Sequence, residues 1–266
     1  MENGNSNIKY APGGFKSITM GTQRFQERVH ARSNNFVAPL KATIFNPLTI
    51  PGLVAWFDAA DLSTFTAYAG NSTVATWKSK DGNVNQSGTN ALSNGPTVLL
   101  NALGPGKNGV VYTGAGTLQI QVPPAPSTSP FTIYAVWSGT SGSLFAASTP
   151  LGLQLVPTGT AYATLGLSAP ANTSIPNTMV YERIDPVTFF SNMYVNSPSP
   201  IVTGFDTLTQ TAPIINLGGS LGGGPLGQSN LFTGTLYELL ISQGTVQTPT
   251  MNAAVIAYLR AKWGTP

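Results

Sequence analysis

The 266-residue sequence predicts an all-β fold, an antiparallel β-sandwich of the jelly-roll kind with a short C-terminal helix and an extended N-terminal arm. Three observations predict it. About a dozen short β-rich runs follow one another, each bounded by Gly, Pro, Asn and Ser clusters. The chain spends 29 glycines and 21 prolines, many of them in those boundaries. Strands do not alternate with helical stretches, which argues against a parallel α/β sheet and for a sandwich.

The elements can be justified in chain order. Residues 1–50 lack a sustained apolar period and read as an extended arm with one short helical turn at most. Residues 1–45 hold six basic groups (Lys9, Lys16, Arg24, Arg28, Arg32, Lys41) and two acids, a net charge of +4. The rest of the chain nets −1, so all the excess positive charge lies in the arm. Those six basic residues are the candidate docking groups, the arm being ordered against its own domain, a neighbouring copy or another partner. Phosphate neutralisation on nucleic acid would use the same charges, but few aromatics accompany them and support for it is weak.

Pro47 and Pro51-Gly52 close the arm, and residues 51–266 form the predicted sandwich. Strands are expected at Leu53–Phe57, Thr73–Lys78, Val110–Thr113, Leu118–Val122, Phe131–Ser138 and Leu144–Ala147. Later ones are expected at Leu151–Val156, Tyr162–Leu167, Thr178–Ile184, Thr188–Val195, Ile214–Leu217 and Gly234–Ser242. Thr117 to Val122 alternates in polarity, as a half-buried strand does. Ile133 to Trp137 is apolar throughout, which suits a central strand. One helix is expected at the end. Thr248 or Thr250 caps it, Pro249 suits its first turn, and Gly264 stops it. Its apolar stripe is Ala254, Val255, Tyr258 and Leu259, with Arg260 and Lys262 where cations favour the dipole. Such a helix is expected to plug one edge of the sandwich.

Composition narrows the function. Charged residues are 8% of the chain, against roughly 25% in an average soluble domain. Such a surface suits either a robust β-protein or one covered by neighbours. Without cysteine there are no disulfides, thiolate zinc sites or cysteine nucleophiles. The first residues show no basic-then-apolar signal, so synthesis inside the cell is expected, and no apolar run of 18 residues spans a membrane.

Several motifs resemble one family in order. Trp56-Phe57-Asp58-Ala59-Ala60-Asp61 looks like the "W-L-D-A-S-D" opening strand of laminin-G-like domains of the concanavalin A-like superfamily. Val74-Ala75-Thr76-Trp77-Lys78-Ser79-Lys80-Asp81-Gly82-Asn83 resembles its "V-x-x-W-x-D-x-S-G-N" element. Gly95-Pro96-Thr97, Gly109–Gly114, Pro130–Val136, Leu217-Gly218-Gly219 and Phe232–Ser242 follow. Tyr258-Leu259-Arg260-Ala261-Lys262-Trp263-Gly264 is similar to the family's terminal "Y-L-x-x-K-W-G" helix. The resemblance covers roughly residues 50 to 266 and implies a concanavalin A-like jelly roll; the arm lies outside it.

The resemblance implies a fold more than an activity, because its members include lectins, adhesive modules, glucanases and structural subunits. A glycoside hydrolase needs two carboxylates facing one bond. The superfamily's glucanases carry an alternating Glu-x-Asp-x-Glu strand, which is missing here. The nearest pairs, Asp58 with Asp61 and Glu182 with Asp185, have a spacing that sends strand side chains to opposite faces. Asp58 and Asp61 are expected at a strand end and turn, Glu182 and Arg183 in solvent near a hairpin, and Glu238 in a cross-strand hydrogen bond. No enzyme is expected. His30, the single histidine, lies in the arm. No cofactor is expected; calcium is the candidate metal, with Asp81, Asn83 and Asn85 spaced as oxygen ligands but equally as a turn. The Gly218–Gly227 run lacks the Lys-Ser/Thr of a phosphate loop, and Val122–Pro126 reads as a rigid connector. Trp137, Tyr162, Tyr181 and Tyr194 are available to stack on sugar, although sandwich aromatics are mostly core.

Two function classes remain. The first expectation is a structural subunit, a minor capsid or cement-type virion protein docking by its arm to other structural proteins or to copies of itself. The alternative is a glycan-binding, lectin-like module.

Overall fold

Why the chain folds as a sandwich is visible in its longest strands. The computed structural model describes residues 45–67, 73–82, 87–89, 95–114, 116–121, 129–141, 144–147, 156–158, 161–164, 167–170, 175–185, 190–205, 214–218, 220–221, 228–229 and 231–266. The six arm cations and His30 lie outside these, as do Asn83, Asn85, most of 219–227 and all of 122–126. Phe45–Pro266 forms one compact unit.

The strands in chain order are β1 (Leu53–Asp58), β2 (Phe65–Ala67), β3 (Val74–Lys78), β4 (Ser87–Thr89), β5 (Thr97–Leu99) and β6 (Gly109–Thr113). Then come β7 (Leu118–Gln121), β8 (Phe131–Ser141), β9 (Phe145–Ala147), β10 (Val156–Thr158), β11 (Ala161–Thr164) and β12 (Leu167–Pro170). β13 (Asn177–Asp185), β14 (Phe190–Val195), β15 (Val202–Phe205), β16 (Ile214–Leu217), β17 (Ser220–Leu221), β18 (Gln228–Ser229) and β19 (Thr233–Gln243) complete the set. The helix α1 spans Pro249–Trp263.

β8 is the spine of the larger sheet. It pairs with β19 on one edge and with β13 and β10 on the other, all antiparallel. β14 and β15 extend the sheet beyond β13, and β11 and β12 extend it beyond β10. On the far edge of β19 lie β1 and β6, and β5 adds to β6. The smaller sheet runs β2-β3-β4-β7-β16-β9.

Alternation along β8 fills two cores. Ile133, Ala135 and Trp137 face the space between the sheets, where they join Phe57, Trp77, Tyr112, Leu118, Phe232 and Leu239. Phe57 meets Trp77 edge-on at 5.4 Å, and Trp137 meets Phe232 at 6.3 Å. Tyr134 and Val136 face the other way and pack with Val180, Leu240, Val255, Leu259 and Trp263 beneath α1. Burial of both faces is why this stretch is apolar throughout. Gly218 is fixed by packing: its φ is +86°, and a Cβ there would lie 2.2 Å from the Tyr112 ring.

The helix begins and ends where the sequence predicts. Thr248 Oγ1 accepts from Met251 N at 3.1 Å, Pro249 occupies the first turn, and Gly264 closes it at φ 73°. Its location differs from the expectation. α1 lies on the outer face of the larger sheet and does not plug an edge, because Val255, Ile256, Leu259 and Trp263 find apolar partners there. A second difference is at Tyr162–Leu167, expected as one strand. It forms two antiparallel strands, β11 and β12, with Thr164 opposite Leu167, and residues 165–166 lie outside the described residues. Most of Leu151–Val156 lies outside the described residues.

Candidate functional site

The densest cluster of chemistry-bearing side chains forms where the C-terminal half of α1 meets β1 and β19. On β1, Phe57 faces the inter-sheet core, so Trp56 and Asp58 face the helix. Glu238 on β19 stands directly opposite Asp58. Tyr258 and Lys262, one turn apart on α1, and Trp263 descend onto them. The segment after β3 is docked beside β1 by Ser79 Oγ, which accepts from Trp56 N at 2.8 Å, and by Lys80 N, which donates to Trp56 O at 2.7 Å. Lys80 thereby joins the cluster.

Glu238 is fully buried and fully partnered. Its Oε1 accepts from Trp56 Nε1 at 2.8 Å and Tyr258 OH at 2.9 Å. Its Oε2 accepts from Trp263 Nε1 at 2.6 Å and pairs with Lys262 Nζ at 2.8 Å. The same ammonium lies 2.8 Å from Asp58 Oδ1. Asp58 Oδ2 takes Lys80 Nζ at 3.0 Å, and Lys80 reaches on to Asp61 Oδ2 at 3.1 Å. The Lys80 ammonium also sits 4.6 Å from the Trp56 ring centre, a cation–π contact. Burial pushes the Glu238 carboxyl upward, and Lys262 beside it pulls the other way. Burial also works against the Lys80 charge, but the Asp58 and Asp61 carboxylates hold it above the ordinary lysine value. Asp61 is held low by the Ser63 hydroxyl first, then by Lys80.

This cluster brings together a carboxylate pair that sequence spacing missed. Asp58 and Glu238 each lie 2.8 Å from one nitrogen, close enough for the separation of about 5–5.5 Å used by retaining glycosidases. Their chemistry is nonetheless that of a clamp. An ammonium stands between them, and each oxygen of the buried Glu238 meets two donors. The single sequence signal was a glutamate interrupting the apolar run Leu236–Ile241; its expected cross-strand bond is part of what forms.

A second polar cluster lies under the N-terminal half of α1, and its groups are neutral apart from one carboxyl. Tyr134 OH donates to Asn252 Oδ1 at 2.7 Å, and Asn252 Nδ2 donates to Glu182 Oε2 at 3.1 Å. Tyr194 OH donates to the same Glu182 oxygen at 3.4 Å. Gln247 Nε2 donates to Pro51 O at 2.9 Å and Ser242 Oγ at 2.7 Å. Glu182 and Arg183 are thus buried and not solvated as expected, because α1 covers one face of β13 and the second sheet the other. Arg183 lies over the Phe131 ring at 4.8 Å, and burial brings its guanidinium down to about 10.

The smaller sheet offers a different surface. Its register places Thr66, Thr76, Thr89, Gln119 and Asn216 in one cross-strand row over β2, β3, β4, β7 and β16. This row is one residue out of phase with Trp77, Leu118 and Leu217, which are buried in the core. All five are hydroxyl or amide residues. The nearest charge in register is Lys78, opposite Ser87, one row away. Among the described residues the single α-helix covers the other sheet.

Other predicted site residues fall as follows. Trp137, Tyr181 and Tyr194 are buried, so they serve the cores and not a sugar platform. Among the described residues no group of three or more His, Asp or Glu could hold a metal ion, and Asp81 is the one described member of the calcium candidates. No helix among the described residues is long and apolar enough to cross a membrane.

No protein-family model matches this chain, and neither does any curated protein. Solved structures do resemble it. A GH54 α-L-arabinofuranosidase soaked with 4-nitrophenyl α-L-arabinofuranoside is 13% identical, over 72% of this chain and 51% of its own, with a TM-score of 0.52. The binding domain of botulinum neurotoxin serotype D/C is 9% identical, over 80% and 55%, with a TM-score of 0.52. Trypanosoma rangeli sialidase in complex with 2,3-difluoro-KDN is 12% identical, over 87% and 36%, with a TM-score of 0.51. The chain spans between 36% and 55% of these three proteins. At such identities the likeness establishes the β-sandwich fold, the part of the expected jelly roll that the comparisons reach.

Proposed function

We propose that this protein is a non-enzymatic, glycan-binding module that takes a neutral oligosaccharide across the Thr66–Thr76–Thr89–Gln119–Asn216 row. That row is the observation that carries the reading: uncharged hydroxyl and amide residues, in register across five strands, on the sheet that the helix leaves alone. Sugar recognition relies on a few placed polar groups of this kind. Two of the similar structures support the reading, a sialidase in complex with a sugar derivative and an arabinofuranosidase soaked with one, as does the commitment of Asp58 and Glu238 to a clamp around Lys262. The test is binding of the full chain and of a chain lacking residues 1–44 to an array of neutral and sialylated glycans. Both should bind the same glycans; a folded protein that binds none overturns the reading.

A second reading, a virion-shell subunit docked by the arm cations, is favoured by one observation, the 8% charged composition. It expects recovery at a fixed ratio to a major shell protein in salt-washed particles, and loss of that recovery when residues 1–44 are deleted.

A further inference from the structure

Lys262 is held between two carboxyls of different kinds. Its ammonium lies 2.8 Å from Asp58 Oδ1 and 2.8 Å from Glu238 Oε2, and it donates to Tyr258 OH at 3.1 Å. The Tyr258 and Trp263 rings are centred 5.4 and 5.0 Å from the nitrogen. The Asp58 side chain is 5% exposed and that of Glu238 is fully buried, so bulk water is kept from both.

The two carboxyls differ in their remaining partners. Besides Lys262, Glu238 meets only neutral donors, the Trp56 and Trp263 indoles and the Tyr258 hydroxyl. Burial raises its affinity for a proton; Lys262 opposes this and the Asp58 charge adds to it. Asp58 has a cation on each oxygen, Lys262 on Oδ1 and Lys80 on Oδ2 at 3.0 Å, and the Ala60 N–H donates to Oδ1 at 3.1 Å. Positive charge on both oxygens polarises the Asp58 carboxyl carbon, and Glu238 is the group suited to carry protons.

An amine held against a carboxyl, a base to move its protons and a cation where negative charge develops are what amide formation requires. In water an ammonium and a carboxylate stay separate because hydration stabilises both ions. In a buried site that hydration is lost, and an amide in their place removes two charges from the interior. We propose that Lys262 and Asp58 condense autocatalytically into an isopeptide bond that ties α1 covalently to β1, with Glu238 as proton carrier. Glu238 relays one proton from the ammonium to Asp58 Oδ1, leaving a neutral amine beside a carboxylic acid. The nitrogen attacks Cγ, and Lys80 stabilises the negative charge that forms on Oδ2. Glu238 then takes a second proton from the nitrogen and passes it to Oδ1, whose bond to carbon breaks. Oδ1 departs as water along the exposed side of Lys262, whose side chain is 22% exposed. One C–N bond replaces one C–O bond, Glu238 ends as it began, and no oxidant or co-reactant enters.

The experiment is intact-mass spectrometry of the purified, folded full chain after denaturation, followed by proteolysis and fragment sequencing. The wild-type chain should be lighter than its sequence mass by one water molecule. The fragments containing Asp58 and Lys262 should run as a single branched species. Lys262→Arg keeps the positive charge but replaces the amine, and Glu238→Gln removes the proton carrier. Both variants should show their full sequence masses. A succinimide at Asp81-Gly82 would lose the same water but would join no second fragment. A folded wild-type chain at its full sequence mass overturns the proposal. So does a water loss that persists in Lys262→Arg or maps within one fragment. A cross-link that forms in Glu238→Gln overturns the role given to Glu238.

Discussion

The two sheets put their outer faces to opposite uses. On the larger sheet, α1 covers the strands, and a charged cluster forms there: Asp58 and Glu238 inside, Lys262, Lys80 and Asp61 at the rim. On the smaller sheet, the cross-strand row is uncharged. Conspicuous residues thus mark the face that holds the fold together, while the inconspicuous Thr, Gln and Asn residues mark the face proposed above to take a glycan. The motifs that resemble those of laminin-G-like domains illustrate this. Trp56 and Asp58 of the opening motif, Glu238 of the late strand, and Tyr258, Lys262 and Trp263 of the terminal helix are one hydrogen-bonded cluster in space.

The sharpest way to break this contrast is Lys262→Met. It leaves two buried carboxylates facing each other without their shared cation, a loss of about 3–5 kcal/mol in chemical denaturation. Glycan binding measured well below the unfolding transition should be unchanged. A much smaller effect is expected at the rim, where Asp61 is about one-third exposed. Asp61→Asn should cost under about 1 kcal/mol at neutral pH and less in high salt. The folded value of Asp61 lies below its ordinary 3.8, so its contribution is present above that value and lost as pH falls through the folded one. The variant should therefore show a flatter acid limb in a pH–Tm profile.

Local features of the fold were legible, and long-range ones were not. β13 and β19 are close to their expected spans because each is a long β-rich run. The helix ends were legible because Pro249 and Gly264 act locally, and of the two candidate caps, Thr248 and Thr250, the first is used. β4, β5 and β15 escaped: each is short, and β4 and β15 carry a glycine, which weakens a strand signal. The clamp joins positions 180 residues or more apart, as in Trp56 with Glu238, and spacing along the chain carries no trace of such a meeting. Glu182 read as solvated because it lies near a hairpin; the docking of α1 on β13 reverses that. The neutral row was invisible for the same reason, as five strands from separate parts of the chain supply it.

The measurement that tests this account most directly is a glycan-binding isotherm on three forms of the full chain: wild type, Gln119→Ala with Asn216→Ala, and Glu238→Gln. The account predicts that the double variant melts like wild type but loses at least about tenfold in affinity, the equivalent of ~1.4 kcal/mol. It predicts that Glu238→Gln melts lower yet binds like wild type while folded. Undiminished binding by the double variant, with loss of binding in folded Glu238→Gln, would place the site on the helix-covered face and contradict it.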